Sequence, residues 1–317
     1  MPHYLMTKVM NINIETVNLL FDSAIEIGCM AYKNEKLCNH ISFKVGGPCP
    51  LLIEPKNEKQ LTSILKLIKE TQTPYTILGN GTNVLVLDEG LDKVVVKIGD
   101  EMTSLSLEGD DVVCCSAGTK VVTLCKFALE NSLSGLEFAY GIPGTCGGAV
   151  FMNAGAFGHE ICEILESCTY FDARSNRKIS IDASQLQFSY RHSMFMEMPH
   201  LIILNATFRL QPGDMVQIST QMSANMQARK ERQPLGLPNA GSIFKRPAGT
   251  AAGKLIDDCG LKGVRVGGAE VSTKHAGFIV NYNNATAQDV LRLMQYIQTT
   301  VYETYQVQLE PEIRYIV

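Results

Sequence analysis

Apolar residues along this chain recur at two spacings, and the switches between them mark out its elements. Leu61, Ile64, Leu65 and Ile68 fall at i, i+3, i+4 and i+7, which predicts a helix over Asn57 to Thr71 with Asn57 and Gln60 as a capping pair. Val290, Leu293, Met294, Ile297 and Val301 repeat that period behind Thr286, predicting a second capped helix near the C-terminus. Further helices are expected near Ile14–Ala31, behind a Thr119 cap with Val121, Leu124, Cys125 and Ala128 inward, over Gln217–Arg232 and near Ala252–Cys259. Short apolar runs bounded by Gly, Asp and Pro read as strands: Tyr75–Leu78, Val84–Leu87, Val94–Ile98, Thr103–Leu107, Val112–Ser116, Cys168–Phe171, Lys178–Ile181, Leu201–Leu210, Gly277–Asn281 and Val307–Ile316. At 317 residues the chain is long enough for more than one core. The sharpest composition break is Gln211–Asp214, so the expected division is a helical segment at 1–35, a main body at 36–210 and a second unit at 211–317.

One stretch fits neither period. Gly135 to Gly158 holds seven of the 26 glycines, interleaved with apolar residues, and Pro143 fixes a turn within it. Glycine at that density lets the main chain approach something closely, either other backbone or a ligand; seven of them favour a large flat or phosphorylated ligand. A second Gly-rich turn, Gly79-Asn80-Gly81-Thr82-Asn83, lies between two strands. It therefore lacks the helix that the G-x-G-x-x-G dinucleotide fingerprint requires. Such a turn is either a plain hairpin or a nest of N–H groups for a pyrophosphate, and beside the longer stretch phosphate binding is the expectation.

Composition narrows the class. With 45% hydrophobic and 19% charged residues the chain is that of a soluble globular protein. A net charge of −4 argues against general nucleic-acid binding. Charge is uneven, however: from Arg229 to Lys274 nine Lys and Arg face four acids, a local basic region suited to a small anionic ligand. The ten cysteines include no CxxC pair and no Cys/His set at zinc spacing, so no metal is expected, and most sit in apolar runs as small buried hydrophobes of a reducing compartment. The N-terminus lacks the basic and apolar regions of a signal peptide, and no window approaches a membrane span; a cytoplasmic location with no membrane partner is expected.

Seven runs carry a resemblance: HISFKVGGP (40–48), LGNGTNVLV (78–86), GLEFAYGIPGTCGGAVFMNAGAFG (135–158), SYRHS (189–193), NAGSIFKRP (239–247), KHAGFIVN (274–281) and LEPEIR (309–314). In this order, and covering most of residues 36–317, they resemble the UDP-N-acetylenolpyruvoylglucosamine reductase (MurB) family of peptidoglycan synthesis. The resemblance implies an α+β fold: a FAD-binding domain of the vanillyl-alcohol-oxidase (PCMH) type and a smaller C-terminal α+β substrate-binding domain. It has two types, one with an extra tyrosine-bearing loop over the substrate. Here Ser189–Ser193 runs almost directly into the strand at Leu201, which matches the shorter second type, type II.

The reaction so implied is the NADPH-dependent reduction, through non-covalent FAD, of UDP-N-acetylglucosamine enolpyruvate to UDP-N-acetylmuramate. Hydride passes from NADPH to FAD, then from flavin N5 to the enolpyruvyl methylene carbon, and charge develops on the neighbouring carbon and its carboxylate. That calls for a cation at the carboxylate and a proton donor at the carbanion. The resemblance assigns Arg191 as the cation, Ser242 as the donor and Glu312 as the acidic partner. On residue type alone these are ordinary: a loop Arg pairs with an acid, and a Ser beside Gly caps a turn. Glu310 and Glu312 lie two apart on one expected strand face, so the residues leave that choice open and only the motif selects Glu312. Arg314 shares that face as a candidate substrate ligand, and Arg232 stands nearest the family's diphosphate position. Cofactor contacts are assigned to Gly79, Asn80, Gly81, Thr82, Asn83, Gly141, Pro143, Gly144, Thr145, Gly147, Gly148 and Ala154. Arg246 stands where many relatives have Asn, and Lys274 and Asn281 serve either the site or packing. Two other readings are a flavin oxidase of the same fold, with FAD attached through His40 or Cys146, and a non-catalytic nucleotide-sugar binder. A monomer is expected.

Overall fold

The computed structural model describes residues 12–317; the irregular start expected before them lies outside the described residues. Seven helices are described: α1 (Ile14–Ile27), α2 (Glu58–Glu70), α3 (Val121–Glu130), α4 (Cys146–Met152), α5 (Met215–Arg232), α6 (Ala252–Asp258) and α7 (Ala287–Tyr305). The strongly periodic ones form as predicted. Asn57 accepts from the Gln60 amide at the start of α2, and Thr286 with Asp289 closes a capping box on α7. Thr119 does not cap α3. Lys120 takes the cap position without a side-chain bond, while the buried Thr119 hydroxyl donates to the Ser104 carbonyl at 3.2 Å.

Three sheets organise the chain. Strands Met30–Lys36, Pro48–Glu54, Val94–Lys97 and Tyr75–Leu78 lie side by side in that order, the first pair antiparallel and the others parallel. The first of them replaces the end of the expected first helix, because Gly28 takes a φ of 89° and terminates α1. Its sequence, MAYKNEK, is too polar to announce a strand. The second sheet is antiparallel, in the order Arg177–Asp182, Leu165–Asp172, Leu201–Arg209, Val112–Ser116 and Leu105–Glu108. The third, also antiparallel, joins Asn239–Ser242, Phe278–Asn281, Ala269–Val271 and Arg265–Val266.

The first sheet is buried on both faces, and the period of two decides which core each residue enters. Leu51, Ile53, Val94 and Val96 face Leu20, Leu61, Val113, Leu124 and Phe208 in one core. Leu52 and Val95, the residues between them, join Phe43, Leu85, Phe244, Ile279, Leu293 and Ile297 in another. The C-terminal region therefore packs directly on a sheet built from the first hundred residues. Its last strand, Arg314–Ile316, pairs in parallel with Val84–Val86. The Arg314 amide donates to the Asn83 carbonyl at 2.9 Å, which brings the end of the chain to the 79–83 turn.

Before that strand the backbone is not regular, contrary to the expected strand over Val307–Ile316. Pro311 forms an isolated bridge to Phe244 and supplies no N–H to a ladder. Lys245 donates to the Glu310 carbonyl and Glu312 to that of Ile243, after which the chain passes to Asn83. The expected shared face of Glu310 and Glu312 is thereby lost: the Glu310 side chain is 71% exposed beside Lys245, and that of Glu312 is 13% exposed.

Candidate active site

A cavity of about 1100 Å³ opens where these parts meet. It is lined by the 79–83 turn, the 141–149 segment, the last turn of α5, the strand Asn239–Ser242 and residues 312 and 314–316. Every residue that the resemblance assigned to catalysis, cofactor or substrate lines it, from Gly79 through Ala154, Arg191, Arg232 and Ser242 to Glu312 and Arg314. Arg246 lines it as well. Lys274 and Asn281 are engaged in packing: Lys274 donates to the Lys230 carbonyl, and the buried Asn281 spans the Phe43 carbonyl at 3.2 Å and the Ala285 amide at 2.8 Å.

The two Gly-rich segments are clamped together. Asn80 Nδ2 donates to the Pro143 carbonyl at 2.5 Å, and a Cβ on Gly79 would stand 2.9 Å from Thr145 Oγ1. Gly81 takes a φ of 62°, and a Cβ there would meet the His40 carbonyl at 2.6 Å. The glycines of the longer stretch divide by task, which the sequence could not show. A Cβ on Gly147 would meet Ala117, and one on Gly155 the His159 carbonyl, so both positions exclude a side chain because of neighbouring protein. Gly141, with a φ of 97°, lies against Met226 and Arg229 on α5, and Gly144 faces Thr82 across the cavity wall. Part of the stretch is the short helix α4, capped by Thr145, which accepts from the Gly148 amide at 3.3 Å.

The cavity exceeds the roughly 300–1,000 Å³ usual for a drug-sized ligand, as a dinucleotide plus a second ligand requires. A second observation also fits a phosphorylated cofactor. Arg229 lies on the cavity wall with its Nε buried and without a partner, and burial pushes its pKa down. A buried guanidinium N–H without an acceptor is costly, and an anion supplies one. Arg229 was passed over in the sequence because the motif pointed to Arg232; their i, i+3 spacing on α5, which turns both toward one side, was the available signal. His40 and Cys146 point elsewhere. His40 lies between Glu35 at 2.9 Å and Lys97 at 3.1 Å. Cys146 is fully buried, its thiol pushed well up by a hydrogen bond with Cys115 and by burial. Covalent flavin attachment loses both of its candidate anchors.

At the end of the longer Gly-rich stretch, Arg191 is held by four hydrogen bonds. Its Nε donates to Glu312 Oε1 at 2.8 Å, Nη2 to the Gly155 carbonyl at 3.0 Å, and Nη1 to the Asn153 carbonyl and Glu160 Oε1, both at 3.4 Å. Its own backbone is left-handed, with a φ of 55°, and its guanidinium lies 4.8 Å from the centre of the Tyr190 ring. Asn153 ties this corner together. Fully buried and itself left-handed, it donates to Glu160 Oε2 at 2.9 Å and the Ser189 carbonyl at 3.0 Å, and accepts from the Cys162 amide. Neither Asn153 nor Glu160 was legible as a site residue, since nothing in sequence links positions 153 and 160 to 191. Burial pushes the Glu312 carboxyl above its usual range, against the downward pull of Arg191, Lys245 and Tyr190. Asn83 Nδ2 donates to the Glu312 carbonyl at 3.2 Å, so the catalytic candidate is anchored to the 79–83 turn. Among the described residues no group of three His, Cys, Asp or Glu side chains gathers to hold a metal ion.

Residues 233–316 match the family described as UDP-N-acetylenolpyruvoylglucosamine reductase, C-terminal domain, and residues 49–176 match a FAD binding domain. The chain is 44% identical over 285 residues to the UDP-N-acetylenolpyruvoylglucosamine reductase of Caldanaerobacter subterraneus, covering 90% of this chain and 93% of that one. To the enzyme of the same name from Clostridium novyi it is 45% identical over 278 residues, covering 88% and 89%. The crystal structure of UDP-N-acetylenolpyruvylglucosamine reductase from Thermus caldophilus superposes with a TM-score of 0.78 at 34% identity, over 91% of this chain and 99% of that one. No helix among the described residues is long and apolar enough to cross a membrane.

Proposed function

Because the chain belongs to the UDP-N-acetylenolpyruvoylglucosamine reductase family, we propose that the cavity reduces UDP-N-acetylglucosamine enolpyruvate to UDP-N-acetylmuramate with Arg191, Glu312 and Ser242 as its catalytic residues. The protein is a FAD-dependent oxidoreductase of peptidoglycan precursor synthesis, with NADPH as reductant. FAD, once bound, supplies the relay that takes hydride from NADPH and delivers it from N5 to the enolpyruvyl methylene carbon.

The observation that carries the residue roles is the convergence of Arg191, Glu312 and Ser242 on one cavity from three distant parts of the chain. Arg191 keeps its charge at any working pH, so it stabilises the enolate and carboxylate electrostatically. Glu312 is the acidic partner at that carboxylate. Ser242 donates the proton to the carbanion and is re-protonated from water. The 79–83 turn, the 141–148 backbone and Arg229 hold the cofactor's pyrophosphate, while Arg232 and Arg314 face the sugar nucleotide.

We further read the chain as the shorter, second type of the family, because only the single-turn helix Met194–Met196 stands between Ser193 and the strand Leu201–Arg209. The division into a segment at 1–35, a FAD-binding unit at 36–210 and a substrate-binding unit at 211–317 is supported by two family matches that fall on either side of residue 211. We place the enzyme in the cytoplasm, acting as a monomer.

The test of the function is the flavin itself. Purified protein should be yellow, NADPH should bleach it without oxygen, and UDP-N-acetylglucosamine enolpyruvate should restore the colour. A reduced flavin that this substrate leaves bleached would sink the assignment. For the cofactor site, Arg229→Met removes the guanidinium with its unpartnered Nε and keeps an unbranched stem. It is expected to weaken FAD binding to apoprotein by about tenfold or more, read by flavin fluorescence titration. An unchanged affinity would remove Arg229 from the cofactor site.

A further inference from the structure

The proposed reaction leaves Glu160 without a task, and Arg191 without a free edge. Four of its five N–H donors already serve the protein, so a substrate carboxylate that takes two adjacent donors has to displace one acceptor. The Asn153 and Gly155 carbonyls belong to a backbone locked by the buried Asn153 side chain. Glu160 is locked too: its Oε2 holds the Asn153 amide, and it shares a capping box with Glu163 at the helix Ile161–Glu163. Glu312 differs. Its backbone is fixed by Ile243 and Asn83, but its carboxylate lines the cavity, engages Arg191 and borders Tyr190, and swings through side-chain rotation alone.

We propose that the substrate's carboxylate replaces Glu312 on the Nε edge of Arg191, that Glu312 takes up a proton from solvent as it lets go, and that Glu160 is the fixed counter-ion holding the guanidinium through the exchange. The inference rests on the reading of this cavity as the enolpyruvyl site. The only bond formed is O–H on Glu312, with no change of oxidation state. Released from Arg191, a buried carboxylate faces Lys245, Tyr190 and the arriving negative charge, with Glu160 beyond the guanidinium. Burial already favours its neutral form, and loss of the guanidinium adds to that. The neutral carboxyl then donates a hydrogen bond to the substrate's carboxylate. The sign of the pH effect follows. Proton uptake occurs between the Glu312 pKa in the free enzyme and its higher pKa in the complex. Affinity for the enolpyruvyl sugar therefore rises as pH falls through that window and levels off below it.

The experiment is titration calorimetry on the oxidised holoenzyme without NADPH, in buffers of different ionisation heat. UDP-N-acetylglucosamine enolpyruvate is compared with UDP-N-acetylglucosamine, which lacks the carboxylate. His275 also lines the cavity, with its pKa pushed down by burial, and any proton it takes up with the diphosphate appears for both ligands. The excess uptake with the enolpyruvyl sugar, up to about one proton per site, is expected in the wild type and absent in Glu312→Gln. Glu160→Gln is expected to weaken the enolpyruvyl sugar on the order of tenfold while leaving UDP-N-acetylglucosamine unchanged. Equal uptake for the two ligands, or excess uptake that persists in Glu312→Gln, overturns the exchange. Equal weakening of both ligands in Glu160→Gln makes Glu160 merely structural. A holoenzyme that binds neither sugar nucleotide overturns the proposed function itself, and the exchange with it.

Discussion

Ser242→Ala is expected to leave flavin reduction by NADPH at its normal rate while slowing reoxidation by the enolpyruvyl sugar about 100- to 10,000-fold, the range for loss of a positioned proton donor. The loop should survive the change. Ser242 ends a strand whose backbone is held independently of its hydroxyl: Gly241 donates to Asn239 Oδ1 at 3.0 Å, Ile243 to the Gly277 carbonyl at 2.9 Å, and Ser42 to the Asn239 carbonyl at 2.6 Å. A serine is a weak acid, so the contribution proposed for Ser242 rests on its position at the carbanion rather than on its acidity. Rapid mixing of each half-reaction separately checks this. Equal slowing of both halves would make Ser242 a structural residue.

Arg191→Lys is expected to slow reoxidation by about 100- to 1,000-fold, the usual cost of removing one group aimed at developing oxyanion charge. The substitution keeps the charge and the long stem. It also faces the same left-handed backbone, so the comparison isolates the planar fork. A lysine ammonium is a single point, whereas Arg191 presents three nitrogens to Glu312, Gly155, Asn153 and Glu160 at once. Flavin content and reduction by NADPH should be preserved. A lysine variant that reoxidises at the wild-type rate would show that charge alone suffices at this position.

Much of this arrangement was legible in the chain, for local reasons. The periods of α2 and α7 and their caps are short-range facts, and both helices form as read. The Gly-rich segments signalled close approach of main chain, and both line the cavity. Which glycine approaches what was not legible. Gly147 meets Ala117 and Gly141 meets Arg229, partners outside the Gly-rich stretch. The Met30–Lys36 strand was missed because a polar edge strand has no apolar period to show. The expected shared face of Glu310 and Glu312 failed because Pro311 interrupts the ladder and the chain changes partners from Ile243 to Asn83 within a few residues.

The sequence by itself determined the residue types the chemistry needs and the local elements that carry them: a permanently charged Arg191 in a polar loop, Ser242 beside a glycine, and two Gly-rich segments flanked by strands. Only the tertiary structure decided which carboxylate meets Arg191, that Glu160 and Asn153 stand behind it, and that Arg229 reaches the cavity unpaired. The reason is physical. Periodicity and turn chemistry report interactions within a few residues, whereas Glu312 reaches the site because the last strand pairs with Val84–Val86, directly after the first Gly-rich turn, more than two hundred residues away in sequence.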